Sequence, residues 1–130
     1  VFDLDAFMSF EGKTGPYIQY TAVRIKSLLA KAGKFKDEIT YIAPTETGLV
    51  IEILKLIEGL KTALDNLSPN AVCNGVYNLA SAYSTFYNNT RILSETNINK
   101  KNSYLSLSKL VLRYIELAMD ILAIDVPERM

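Results

Sequence analysis

The sequence predicts an all-α protein, a single-core bundle of five to six helices. Three observations point there. Apolar residues recur at spacings of three and four in several separate stretches. Gly, Pro and polar clusters punctuate those stretches. No pair of alternating strands joined by a hairpin turn occurs in the 130 residues. The length favours one core, so residues 1–130 are expected to form a single domain. A composition of 49% hydrophobic and 22% charged residues suits a chain that buries such a core, and excludes a disordered tail or a collagen-like repeat.

The elements follow in order. Leu4, Phe7, Met8 and Phe10 predict a short first helix. Glu11 to Pro16 forms a Gly-rich turn, Pro16 fits the first position of a second helix, and Gly33 marks its end near Ala32. Along that helix Ile18, Ala22, Ile25, Leu28, Leu29 and Ala32 fall on one stripe. Tyr41 to Pro44 reads as a connector. From Glu46 to Leu67, the residues Leu49, Ile53, Leu56, Ile57, Leu60, Leu64 and Leu67 predict a third helix, with a break near Gly59. Ser68-Pro69 then supplies a cap and a first-turn Pro for a fourth helix to about Asn89, burying Val72, Val76, Leu79, Ala80, Tyr83 and Phe86. Residues 94–99 read as a polar loop. The last helix, about Ser103 to Leu122, leaves only a strip of Ser106, Lys109, Arg113, Glu116 and Asp120 for water, which makes it the central helix.

Several chemistries are excluded. There is no histidine, which removes His acid/base catalysis and His-containing metal sites, and a single cysteine cannot form an internal disulfide. No glycine-rich phosphate loop, based nucleophile or paired-carboxylate cleft is recognisable, so no catalytic residue, cofactor or metal is expected in this segment. Cys73 lies among Ala71, Val72 and Val76 and reads as a buried, inert thiol. No run of about 20 apolar residues is present, so no membrane span and a soluble protein are expected. The start, Val1-Phe2-Asp3-Leu4, lacks an initiator Met and a signal-peptide pattern, and reads like a cut inside a longer chain.

Fourteen basic residues balance fourteen acidic ones, but not evenly along the chain. Residues 13–36 hold Lys13, Arg24, Lys26, Lys31, Lys34 and Lys36 with no acid. Residues 91–113 hold Arg91, Lys100, Lys101, Lys109 and Arg113 against Glu95 alone. Side by side these segments would make a phosphate-holding patch; apart, they are solvated helix faces. Aromatic residues accompany the charge. Tyr17, Tyr20 and Arg24 lie within about 60° of one another on the second helix, with Ser27 and Lys31 extending the same edge. A Tyr ring beside a guanidinium can stack an unpaired base while the Arg meets its edge or phosphate. Alternatively, both rings seal the core with their hydroxyls in water. Tyr83, Tyr87 and Arg91 repeat the pattern on the fourth helix, Tyr83 reading as core and Tyr87 as edge.

Phe10-Glu11-Gly12-Lys13-Thr14-Gly15-Pro16-Tyr17-Ile18-Gln19-Tyr20, followed by Arg24-Ile25, closely resembles the signature that opens the C-terminal anticodon-binding domain, of the DALR type, of arginyl-tRNA synthetases. Ala82 to Asn88 looks like that domain's aromatic helix, and Leu122 to Met130 like the family's ending. The resemblance spans the chain, strong at both ends and general over residues 34–70. It implies a helical domain gripping the anticodon stem-loop of arginine tRNA. Lys13 would stand in the turn that touches the loop, where Asn is usual. Tyr20 and Arg24 match residues that enclose the middle cytosine, Tyr87 an aromatic that joins them, Arg91 a neighbouring position, and Met130 a terminal methionine that closes the pocket. Tyr17 shares the same motif. The sequence departs from the family at Ala22, where a histidine is frequent, and the DALR tetrapeptide is not in this segment.

The resemblance further implies a parent class I ligase that joins arginine to its tRNA, with a catalytic domain N-terminal to this segment that uses ATP with Mg. A cytoplasmic protein that does not oligomerise is expected. A different class of reading is a helical protein-protein interaction module in which the same Tyr and Arg residues face another protein. Salt distinguishes them, since phosphate contacts weaken steeply with salt and an apolar interface does not.

Overall fold

The computed structural model describes residues 15–40 and 47–125, and within them the helical periods of the sequence become four helices. They are α1 (Gly15–Ala32), α2 (Thr47–Asp65), α3 (Pro69–Asn89) and α4 (Ile98–Asp125). The short helix expected before the Gly-rich turn falls within residues 1–14, outside the described residues. No strand occurs among the described residues.

Helix α1 begins as Pro16 predicts, because a first-turn Pro has no N–H that the helix would use. It ends at Gly33, whose φ of 71° is the left-handed conformation only glycine adopts without cost. The Gly33 N–H bonds back to the Leu29 carbonyl at 3.2 Å, closing the last turn. Its buried face is Ile18, Thr21, Ile25 and Leu28, while Ala22, Leu29 and Ala32 are half-buried. Thr21 joins the core because its hydroxyl donates to the Tyr17 carbonyl at 3.0 Å.

Helix α2 runs unbroken through Gly59, contrary to the expected break; a single Gly weakens a helix by about 1 kcal/mol, which packing overrides. Val50, Ile53, Ile57, Leu60 and Ala63 are its buried residues. Leu67, expected in the core, is 61% exposed. The helix has already ended: Leu67 has φ 50°, its N–H bonds to the Leu64 carbonyl, and the Ser68 N–H bonds to the Ala63 carbonyl. This is the double-bonded left-handed turn that glycine ordinarily closes. Leu67→Gly is therefore expected to raise stability by about 0.5–1 kcal/mol, relief of the left-handed strain exceeding the entropy of the unfolded glycine. A denaturant midpoint at or below that of the parent would contradict this reading.

Helix α3 buries all six residues its pattern assigned, Val72, Val76, Leu79, Ala80, Tyr83 and Phe86. Gly75 lets it approach α2: a Cβ there would stand 3.3 Å from Leu60 Cδ1 and 3.6 Å from Leu60 Cα. Cys73, expected to be buried, is only half-buried, yet burial pushes its thiol up to about 11, so it stays protonated at neutral pH.

Helix α4 contacts the other three, but so does α3, so the central place expected for the last helix is shared between the two. It starts at Ile98, five residues before its expected start. Asn97 caps it: the side chain accepts the Lys100 N–H at 3.1 Å, and its own N–H donates to Glu95. Residues 102–108 are all buried, including Asn102 and three serines. Ser106, expected in the solvent strip, lies under the segment 33–40, which crosses α4 as a strap, and its hydroxyl points to the Lys36 carbonyl at 3.5 Å. The Ser103 hydroxyl accepts the Thr40 N–H and donates to the Asn99 carbonyl. Ser108 donates to the Tyr104 carbonyl at 2.9 Å, so the Tyr83 hydroxyl, 2.7 Å away, is its donor. Burial pushes the Tyr83 phenol well above its ordinary range, keeping it neutral.

The strap is also held by Lys109 Nζ, 3.0 Å from Asp37 Oδ2. The hydrogen bond from the Lys109 ammonium holds the Asp37 carboxyl below its usual range. A lowered folded pKa stabilises above the unfolded carboxylate range, and that contribution disappears as pH falls through the folded value. Both side chains are about half exposed, so Asp37→Asn is expected to cost less than about 1 kcal/mol at neutral pH. The difference between variant and parent melts should vanish in strong acid; a constant difference at every pH would contradict the ion pair.

Candidate nucleic-acid interface

The edge of α1 that carries Tyr17, Tyr20 and Arg24 meets the C-terminal half of α3. Helical spacing places Arg24 one turn beyond Tyr20, and Arg24 Nη2 donates to the Tyr20 hydroxyl at 3.2 Å. Its guanidinium carbon lies 5.1 Å from the Tyr20 ring centroid and 4.5 Å from that of Tyr87. The planar cation is thus held by an aromatic ring from each helix, in the range of cation-π attraction. Tyr87 is steadied in turn by Tyr83, whose ring centroid is 6.2 Å away. Tyr83 is anchored through Ser108, so the arrangement rests on the buried core. Tyr20 is 59% exposed, leaving one side of the cluster open to a ligand.

Tyr17 is placed differently. Its hydroxyl donates to Ser84 Oγ at 3.1 Å and its ring centroid lies 5.9 Å from that of Tyr77. It closes the α1–α3 seam, the sealing role that such a ring can also take. Arg91 is exposed just beyond the end of α3, beside a cavity of about 290 Å³. Tyr87 and Arg91 form part of its wall; Leu28, Thr90, Ile92, Leu93 and Ser94 form the rest. Those five were missed in the sequence, because the turn after α3 folds back over Leu28 of α1, and no helical period announces that. Lys13 and Met130 lie outside the described residues.

The two basic segments do come together, since α1 packs on α4, but their charge is partly spent locally. Lys26 pairs with Glu116 at 3.1 Å, Lys36 with Glu38, Lys109 with Asp37 and Lys100 with Glu95. Asp37, Glu38 and Glu116 come from the neighbouring acidic stretches, and Glu95 from the second basic segment itself. Among the described residues of the two segments, Arg24, Lys31, Lys34, Arg91, Lys101 and Arg113 appear in none of these pairs, and Arg24, Lys31 and Arg91 of them lie at or next to the aromatic edge. The positive surface is therefore smaller than the sequence count, and part of it borders Arg24 and Tyr87.

The family model described as the DALR anticodon binding domain matches residues 18–130. The chain is 40% identical over 135 residues to an arginine–tRNA ligase of Alkaliphilus oremlandii (strain OhILAs) and 44% identical over 133 residues to one of Maricaulis maris (strain MCS10). A third, from Agathobacter rectalis, is 40% identical over 138 residues. Each match covers 100% of this chain, which spans 23% of the length of those relatives. No solved structure matches the chain. With most of its length matched by that model, and with the helical architecture the match implies, the chain belongs to the DALR anticodon binding domain family.

Proposed function

We propose that this chain recognises the anticodon stem-loop of arginine tRNA, with the middle cytosine bound at the Tyr20, Arg24 and Tyr87 cluster. The observation that carries the reading is the Arg24 guanidinium lying between two Tyr rings at an open edge. Those rings offer π faces for an unstacked base, and the guanidinium offers donors to its oxygen or ring nitrogen. Cytosine presents acceptors at O2 and N3, and a planar fork of donors fits such an edge better than the point charge of a lysine does. Arg91 and Lys31 flank the cluster and hold the phosphates, while Tyr17 buttresses α1 against α3 so that Tyr20 and Arg24 keep their register. Lys13 touches the loop and Met130 closes the pocket, as the resemblance of their motifs implies.

The segment acts within a longer arginine–tRNA ligase, a class I aminoacyl-tRNA synthetase, as one domain of five to six helices near its C-terminus. The similarity to ligases supports this. The catalytic domain of that protein joins arginine to tRNA using ATP with Mg, and the partners of this segment are that domain and the tRNA. The parent protein works in the cytoplasm as a single chain. Among the described residues, no helix is long and apolar enough to cross a membrane.

A salt titration tests the proposal against a protein-protein role. Two phosphate contacts, from Lys31 and Arg91, would make the association constant for a labelled hairpin fall with a logarithmic slope of about −1.4. A flat salt dependence would return the surface to the protein-interaction reading.

A further inference from the structure

We infer that Ser108, buried on α4 and out of reach of any ligand, is a positioning residue for the recognition edge: by accepting the Tyr83 hydroxyl it sets where the Tyr87 ring stands against Arg24, and so how strongly cytosine is preferred to other bases. The inference rests on the anticodon reading above and names what holds that site in register. Three observations carry it. The Tyr83 and Ser108 oxygens are 2.7 Å apart, and Ser108 donates its own proton to the Tyr104 carbonyl at 2.9 Å, so its hydroxyl is fixed and can only accept from Tyr83. Tyr83 and Tyr87 stand one helical turn apart on α3 with their ring centroids separated by 6.2 Å, and the Tyr87 centroid is 4.5 Å from the Arg24 guanidinium carbon. The residue after Tyr83, Ser84, accepts the Tyr17 hydroxyl of α1 at 3.1 Å. Helix α3 is thus tied to α4 and to α1 at adjacent residues, one turn before Tyr87.

The hydroxyl bond acts as a stop. Tyr83 and Ser108 are both fully buried, and the ring of Phe86, 5.8 Å from that of Tyr83 and 5.5 Å from that of Tyr104, closes their surroundings. A phenol whose oxygen meets a fixed acceptor cannot slide further toward α4, and a close-packed interior passes that limit on to the neighbour resting against it. That neighbour is Tyr87. Without the hydroxyl the ring settles into the space the oxygen leaves, Tyr87 follows, and the seat of Arg24 shifts. The consequence falls on base choice rather than on attraction. Hydrogen bonds to a base edge weaken steeply with misalignment, whereas stacking accepts every base and phosphate attraction depends mainly on charge. In the reading above Arg24 meets the base edge, while Lys31 and Arg91 hold the phosphates.

The test titrates the 130-residue chain with two labelled anticodon hairpins, one with the arginine-tRNA loop and one with uracil in place of its middle cytosine. Uracil keeps the O2 acceptor but carries a proton on N3, so the ratio of the two affinities reports the contact with the base edge. A variant that only unfolds in part loses both affinities by the same factor and leaves this ratio unchanged. Tyr83→Phe keeps the ring and removes the bond; Ser108→Ala removes it from the other side. Each should lower the cytosine-to-uracil ratio about fivefold, the size of one net hydrogen bond, and leave the salt slope at the parent's value. Val72→Ala, at a buried position of α3 about 16 Å along the helix from Tyr83, should lower stability and keep the ratio. In a chain already carrying Tyr87→Leu, Tyr83→Phe should change the affinity for the cytosine hairpin by less than about twofold, because its effect passes through Tyr87. A ratio that both Tyr83→Phe and Ser108→Ala keep at the parent's value would overturn the inference, as would an equal drop in Val72→Ala or a full further loss in the Tyr87→Leu background. The parent chain separates this from the anticodon reading. Equal binding of both hairpins by the parent refutes that reading and the inference with it, whereas a parental preference that survives both variants sinks the inference alone.

Discussion

Phe86→Ala is expected to lower the stability of the domain by about 3–5 kcal/mol, enough to leave much of it unfolded. Phe86 is fully buried, its ring 5.5 Å from that of Tyr104 in an edge-on arrangement and 5.8 Å from that of Tyr83. Removing it deletes both aromatic contacts and opens a void where α3 meets α4, in a region the chain cannot easily collapse. The void also lies beside Tyr83, whose hydroxyl bond to Ser108 fixes the helix pair. A denaturant titration followed by circular dichroism reads the loss directly. An unfolding free energy within about 1 kcal/mol of the parent's would mean that the core is not organised around this ring.

The adjacent residue gives the opposite result. Tyr87→Ala is expected to weaken hairpin binding by about 1–3 kcal/mol, the range for a lost stacked base, while costing the fold far less than Phe86→Ala. Tyr87 is half-buried: its ring supports the Arg24 guanidinium at 4.5 Å, and the residue also lines the cavity. Its removal takes away a stacking surface and releases Arg24 at once. Tyr87→Leu separates these effects from packing, because it keeps apolar bulk without a π face. It should retain most of the stability and little of the binding. Arg24→Ala should weaken binding over the same range, and Arg24→Lys should recover salt-dependent attraction without recovering the planar fork. If Tyr87→Leu bound as tightly as the parent while remaining helical, the ring would have no part in recognition.

These two neighbours also show where the sequence was legible. Every buried residue of α3 was readable from its period, since Pro69 fixes the start and the apolar residues from Val72 to Phe86 keep one face through about four turns. The same logic failed at Leu67, because the turn that exposes it is made by backbone bonds to Ala63 and Leu64 and not by any side-chain pattern. It failed at the start of α4, where Asn97 reads as a loop residue until its side chain is seen to accept the Lys100 N–H. It also misplaced Ser106, since periodicity counts serine as polar and cannot anticipate that a strap will cover it and offer a carbonyl. Within the site, the pairing of Tyr20 with Arg24 was legible as one helical turn. The approach of Tyr87 was not readable from spacing alone, because it depends on how α1 and α3 cross. The cavity beside it was invisible to period and motif alike, being made by a turn that returns over Leu28. Charge was overcounted for a related reason: Lys26 and Glu116 are 90 positions apart in the chain and 3.1 Å apart in the fold.

The claim on which the account stands is that the Tyr20, Arg24 and Tyr87 edge reads a cytosine. The most direct measurement is the affinity of the 130-residue chain for an arginine-tRNA anticodon hairpin beside the same hairpin with its middle cytosine exchanged, at two salt concentrations. The account predicts a preference for cytosine of about 1–3 kcal/mol at both salts, on top of a shared electrostatic loss as salt rises. Equal affinities at both salts would contradict it and leave only a basic surface that holds RNA without reading it.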